Sequence, residues 1–143
     1  MIIGITGTLG AGKGTVTEYL MQQRGFKHYS ARAFILEEVK KRDRVPDRDT
    51  ITLTANELRS EYGSAYVVEQ LMLKARAEGG DACVESIRTI GEANLLRSLG
   101  SILLGVDADP KVRYERAVLR GSETDQVDFD TFIAHEKREL TST

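Results

Sequence analysis

Four glycines and a lysine fall within nine residues, GTLGAGKGT, running from Gly7 to Thr15. Glycine turns tightly and leaves its N–H group uncovered, so a loop of this composition can wrap an anion instead of packing against side chains. Gly7, Gly12 and Lys13 satisfy the GxxxxGK spacing, in which backbone N–H groups and the positive end of a following helix hold phosphates while the lysine reaches the outer ones. Gly10, Ala11 and Gly14 complete the cradle. A glycine-rich turn with a solvated lysine is the bland alternative; a short β-branched run before the loop and a helical pattern after it weigh against that alternative. Lys13 is followed by Gly14, so the hydroxyl that usually binds magnesium is displaced to Thr15. Magnesium is then expected to be held more through water and carboxylate than through a direct hydroxyl.

A second group of charged residues lies near the ends of later apolar stretches. Glu85 closes an apolar run, where a carboxylate is costly unless solvated, paired or bound to metal. Magnesium and a structural ion pair are the two readings. Arg88 follows three residues on, and a guanidinium fork matches phosphate oxygens, although a surface or salt-bridged arginine has the same sequence signature. Arg113, Arg116 and Arg120 recur at spacings that share one helix face. Arg113 reads as solvated with a partner such as Glu115, whereas Arg116 and Arg120 read as nucleotide contacts. His28 and His135 are too isolated to suggest a metal site, and no Cys/His cluster points to structural zinc. Asp107 and Asp109 precede Pro110 and read as helix caps.

Strands alternating with helices must position these groups. Residues 2–6 read as a buried strand, followed by a helix ending near Gly25. A short strand at 26–29 leads to Ser30 as an N-cap and a helix with Phe34, Ile35, Leu36 and Val39 on its apolar face. Residues 40–50, charged and containing Pro46, read as an exposed loop. Helices are expected at 54–62, 64–78, 91–99, 110–120 and 128–140, and strands at 81–86 and 101–106. Such alternation implies parallel strands joined by crossovers and a sheet covered on both faces, with ligands beyond the carboxyl ends of the strands. The glycine loop, residues 85–88 and residues 107–109 all fall at such ends.

With 143 residues and 41% hydrophobic content, the chain fits one compact domain, 1–143. Twenty basic and 22 acidic residues give a formal charge of -2, so no nucleic-acid partner is expected and phosphate binding must be local. No apolar run is long enough for a membrane span, and MIIGIT lacks the basic start of a signal peptide. The single cysteine, Cys83, reads as a buried small hydrophobe in a reducing compartment. A cytoplasmic protein without a membrane partner is expected; the sequence leaves the oligomeric state open.

The glycine motif with its flanking strand and helix resembles the Walker A loop of the nucleoside monophosphate kinase branch of P-loop kinases, which includes adenylate kinases and dephospho-coenzyme A kinases. VESIRTIGEA is similar to the (V/I)DG(I/F)xR segment of those kinases, with Glu85 at the acidic position, Ser86 in place of the usual glycine and Arg88 at the arginine. The stretch from Arg48 through TANELRSEYG, then DPKVRYERAVLRG and HEKREL, resembles the archaeal-type adenylate-kinase-related proteins, so the likeness covers nearly the whole chain.

The resemblance implies a three-layer α/β/α P-loop NTPase fold with a parallel sheet. That fold is expected to be shortened at its C-terminal end, since relatives usually continue to a fifth strand and a final helix. It implies an ATP-dependent kinase that uses Mg2+ and transfers the γ-phosphoryl group to a nucleoside monophosphate or similar nucleotide-like acceptor. Residues 43–78 would hold the acceptor, with Arg32, Arg59 and Arg88 as substrate contacts and Arg48 as a further candidate, each with a solvated alternative. Residues 121–128, GSETDQVD, match the mobile lid in position but are shorter; Arg116 and Arg120, with Arg138 as a weaker candidate, would act beside it. Lys13, Arg88, Arg116 and Arg120 are then the catalytic set, and Thr15 and Glu85 the magnesium ligands. The rival expectation is a nucleotide-binding regulatory or assembly module with weak ATPase activity.

Overall fold

The computed structural model describes residues 1–121 and 127–141. In chain order these form β1 (Ile2–Gly7), α1 (Lys13–Arg24), β2 (Lys27–Ser30), α2 (Ala31–Lys41), α3 (Arg48–Tyr62), α4 (Tyr66–Glu78), β3 (Ala82–Glu85), α5 (Ile90–Ser98), β4 (Ile102–Val106), α6 (Pro110–Leu119) and α7 (Phe129–Thr141). The sheet order is β2-β3-β1-β4, and every pairing is parallel. Going from β1 to β2 and going from β3 to β4 cross the sheet in opposite directions. Right-handed crossovers therefore put α1 on one face and α2 to α5 on the other. This is the expected α/β P-loop architecture.

Local chemistry sets the boundaries. Ser30 caps α2 by accepting from Ala33 N–H, and Asp109 caps α6 by accepting from Lys111 N–H, with Pro110 in the first turn. α3 departs from expectation: it begins at Arg48, six residues before the expected start at residue 54, because Asp47 accepts from Thr50 N–H and nucleates a turn within the charged stretch. The exposed loop is correspondingly short.

The core lies between the sheet and the α2 to α5 layer, where Val39, Leu58, Val67, Val68, Met72, Val84 and Leu96 are almost fully buried. α5 rests so closely on β1 that a Cβ at Gly4 would meet Leu96 Cδ1 at 2.5 Å. Cys83 is buried as expected. On β4, Leu103 packs into the core, whereas its neighbours Ile102 and Leu104 are 51% and 38% exposed. Among the described residues no helix is long and apolar enough to cross a membrane.

Candidate nucleotide site

The glycine loop joins β1 to α1 at the carboxyl end of the sheet. Gly12, the residue before α1, has φ 104, and no side chain caps the helix start. No acidic residue lies in the first turn either, so the amide groups and the positive end of α1 face the loop uncompensated. Lys13 folds back over the loop, its ammonium donating to Gly7 O and Thr8 O at 2.8 Å each. Thr15 is exposed in the first turn of α1, while the next hydroxyl, Thr17, is buried and donates to Lys13 O.

α6 lies directly on this loop. Gly10 has φ 76, and a Cβ there would sit 2.4 Å from Arg113 O and 2.9 Å from Arg113 Cα. One turn on, Arg116 donates from Nη1 to Gly10 O at 3.0 Å. Arg116 and Arg120 thereby flank a cleft of about 470 Å³, which Gly12, Gly14, Thr15 and Val106 also line. Arg113 is not solvated, contrary to the sequence reading. It is 4% exposed, donates from Nε to Ala108 O and forks onto both carboxylate oxygens of Glu136 in α7. Arg113 turns into the molecule while Arg116 and Arg120 stay exposed, and a partner on a later helix is invisible to helix periodicity.

The carboxyl end of β3 brings further charged groups towards the loop lysine. Glu85 is partly buried and 2.8 Å from His28 Nε2 on the neighbouring strand, so the histidine that looked isolated in sequence has a carboxylate partner. Ser86 follows with φ 73, a left-handed conformation that suits glycine better than serine. Its N–H and that of Ile87 both reach Ile5 O, which fixes the turn against β1. Arg88 then emerges exposed, its backbone N–H held by Glu92.

These groups share one electrostatic field. The Lys13 ammonium lies below the ordinary lysine range, chiefly because it is buried; Glu85 partly offsets this, and Arg88, Arg120 and Arg113 add to the lowering. The end of β3 and α6 therefore both bring charge to bear on the loop lysine.

The acceptor candidates are more dispersed. Arg32 lies exposed in the first turn of α2, just beyond β2, whose Ser30 stands opposite Glu85 in the sheet. Arg59, on α3, is partly buried, with Nη2 3.7 Å from Glu92. Arg48 opens α3 and Arg138 lies near the end of α7, both exposed. Most of the expected lid, residues 122–126, lies outside the described residues. Sequence reading missed Glu92, which is 1% exposed; its signal was the TxxE capping box formed with Thr89.

A family model described as "AAA domain" matches residues 3–140. A UPF0200 protein of Pyrobaculum aerophilum is 33% identical over 141 residues, covering 97% of this chain and 77% of the relative. A UPF0200 protein of Methanothermobacter thermautotrophicus is 31% identical over 143 residues, covering 98% and 72%. Among solved structures, shikimate kinase from Bacteroides thetaiotaomicron superposes with a TM-score of 0.60 at 17% identity, covering 99% of this chain and 78% of that one. TT1252 from Thermus thermophilus gives a TM-score of 0.59 at 22% identity, covering 96% and 78%. The structural likeness is one of fold.

Proposed function

This chain belongs to the AAA-domain family and to the UPF0200 proteins, and from that premise we propose that it is an ATP-dependent kinase acting on a nucleoside monophosphate or a similar small phosphate-bearing acceptor. The observation that carries the reading is the uncapped start of α1 with Arg116 anchored on the loop and Arg120 lining the same cleft, while Glu85 and Arg88 from the end of β3 act on the Lys13 charge as well. A site that only bound a triphosphate would need the loop and its lysine. Arginines from a second strand end suit a reaction in which charge moves between two phosphate-bearing partners.

In this reading an acceptor oxygen bonds to the γ-phosphorus of ATP as the bond to the β–γ bridging oxygen breaks. The products are ADP and the phosphorylated acceptor. The loop amides and the α1 N-terminus hold the donor phosphates; Lys13 leaves its two carbonyl partners to meet them. Arg116 is already anchored on the loop through Gly10 O, and Arg120 lines the same cleft. Arg88 faces the acceptor phosphate, with Arg59 and Arg32 contributing from the helical region.

The reading calls for a magnesium ion bound mostly through water and phosphate. Thr15, exposed in the first turn of α1, and Glu85, at the end of β3, are the groups that would hold it, with water and phosphate supplying the rest. When bound, magnesium neutralises charge on the outer phosphates.

One observation favours the regulatory alternative: His28 already occupies one oxygen of Glu85. A single experiment separates the two readings. The protein is incubated with ATP, Mg2+ and each of AMP, GMP, CMP, UMP and dephospho-coenzyme A, and products are identified by mass spectrometry. A phosphorylated acceptor, with ATP consumption raised many fold over ATP alone, is the expected result. Slow ATP hydrolysis that no acceptor alters would refute the kinase reading in favour of the regulatory one.

A further inference from the structure

Glu92 is the most completely buried acidic side chain among the described residues, at 1% exposure. One of its oxygens, Oε2, accepts from Arg88 N–H at 2.7 Å and Thr89 N–H at 3.0 Å. Its own N–H donates to Thr89 Oγ1, which closes a capping box at the start of α5. A cap alone would not explain the burial, because surface carboxylates close such boxes equally well. The other oxygen, Oε1, faces Arg59 Nη2 at 3.7 Å, across from the helix α3. That separation exceeds a hydrogen bond, so the pair is held by charge and not by a locked fork.

Arg59 is under-satisfied. Its Nε is buried without a hydrogen-bond partner, one of two such side-chain atoms among the described residues; the other is Thr8 Oγ1 in the glycine loop. Buried donors without partners are uncommon in folded proteins and call for a specific explanation. The side chain nevertheless keeps 23% exposure, and a guanidinium held only by one loose carboxylate contact can receive an anion from its open side. A second contact ties the same two regions together: a Cβ at Gly91 would meet Ser64 Oγ at 2.5 Å, so the start of α5 abuts the turn between α3 and α4.

We infer that Glu92 is a positioning residue that sets the geometry of the acceptor site, fixing the backbone of Arg88 with one oxygen and aiming the Arg59 guanidinium with the other. This rests on the kinase reading above and adds a division of labour to it. The donor phosphates are governed by the loop and α6, whereas acceptor affinity depends on one buried carboxylate shared between α3 and the turn after β3. A neutral side chain of the same shape keeps the cap but releases Arg59.

The test compares Glu92→Gln with wild type using whichever member of the five-compound acceptor panel the wild type phosphorylates fastest. Michaelis constants are measured for that acceptor and for ATP, alongside thermal melting. Glu92→Gln should weaken the acceptor roughly tenfold, the equivalent of one charge-assisted contact, and leave ATP within about twofold. In an Arg59→Ala background the same change should have no further effect on the acceptor, because the two act through one contact. Thr89→Ala removes the cap without touching the Arg59 pair; it should lower the melting temperature and leave the ratio of acceptor to ATP affinity unchanged. Should Glu92→Gln fail to fold, Arg59→Lys keeps a cation opposite Glu92 and should weaken the acceptor alone.

Undiminished acceptor affinity in Glu92→Gln, or in Arg59→Lys where that variant stands in, would overturn the positioning role by itself. Equal losses for acceptor and ATP would do the same. A wild type that phosphorylates no member of the panel would remove the kinase reading and this inference together.

Discussion

Replacing Gly10 by alanine tests whether α6 is built onto the glycine loop. The new Cβ would lie 2.4 Å from Arg113 O, 2.9 Å from its Cα and 3.0 Å from its carbonyl carbon. All three are helix backbone atoms, so no flexible side chain can swing aside. Gly10 also has φ 76, where an alanine costs roughly 1–2 kcal/mol from the backbone alone. Forcing a methyl group into a filled contact adds about 1–3 kcal/mol. The total of roughly 2–5 kcal/mol corresponds to a fall in melting temperature on the order of 10 °C for a domain of this size. The loop and α6 should also separate, weakening the Arg116 bond to Gly10 O and with it ATP affinity. Melting followed by circular dichroism and ATP titration by calorimetry read the two effects. Gly14→Ala is the control, because its Cβ would find nothing within 4 Å and no positive φ is required. Its melting temperature should hold or rise slightly. A Gly10→Ala protein that melts with wild type would refute the docking of α6 on the loop.

Four further outcomes follow from the same geometry. Lys13→Ala should abolish productive ATP binding while leaving the circular dichroism spectrum and melting temperature close to wild type, since the ammonium contacts only two loop carbonyls. Arg120→Ala should depress acceptor-dependent turnover far more than ATP affinity in steady-state kinetics, because a charge gathered around the transferred group acts mainly in the transition state. Glu136→Ala should destabilise the fold by about 3–5 kcal/mol in urea denaturation, since it strands the buried Arg113 guanidinium. The Tyr29 phenol donates to Glu78 at 2.5 Å, and this bond, then burial and the carboxylate charge, push its pKa up to about 12; its stabilisation is therefore complete below the ordinary tyrosine value near 10 and lost as pH rises towards 12, so Tyr29→Phe should flatten the alkaline arm of the stability profile.

The parts of the fold that could be read from sequence were those fixed by short-range patterns. The glycine loop, the Ser30 and Asp109 caps and the alternation of strands with helices all depend on residues within a few positions of one another, and each stands in the structure. The start of α3 was missed because its first turn, RDTI, carries little apolar periodicity; the information lay in the Asp47 cap. Arg113 was misread for a different reason. Its spacing placed it correctly near Arg116, which is exposed, but whether Arg113 itself meets solvent depends on Glu136, which only the docking of α7 brings near. Glu92 shows both limits. Its capping box is local and legible, whereas its burial against Arg59 is tertiary. His28 seemed isolated because strand pairing, not sequence distance, sets it beside Glu85.

Within the glycine motif itself, the structure separates two demands that the spacing alone merges. Gly7 could not carry a Cβ because Val106 O, at the end of β4, would lie 2.2 Å away, and Gly10 is closed off by the Arg113 backbone. Both glycines are required by packing whether or not a phosphate is bound. At Gly12 the nearest atom to a Cβ would be Arg116 Nη1 at 3.6 Å, and at Gly14 the space is open. Protein packing makes no comparable demand on the size of these two residues, although Gly12 still needs its positive φ. The first half of the motif thus builds the loop between β4 and α6, and the second half leaves it uncovered. In the proposed kinase a ligand entering the cleft would meet amides already held in place from behind, the preorganisation that charge stabilisation in phosphoryl transfer depends on.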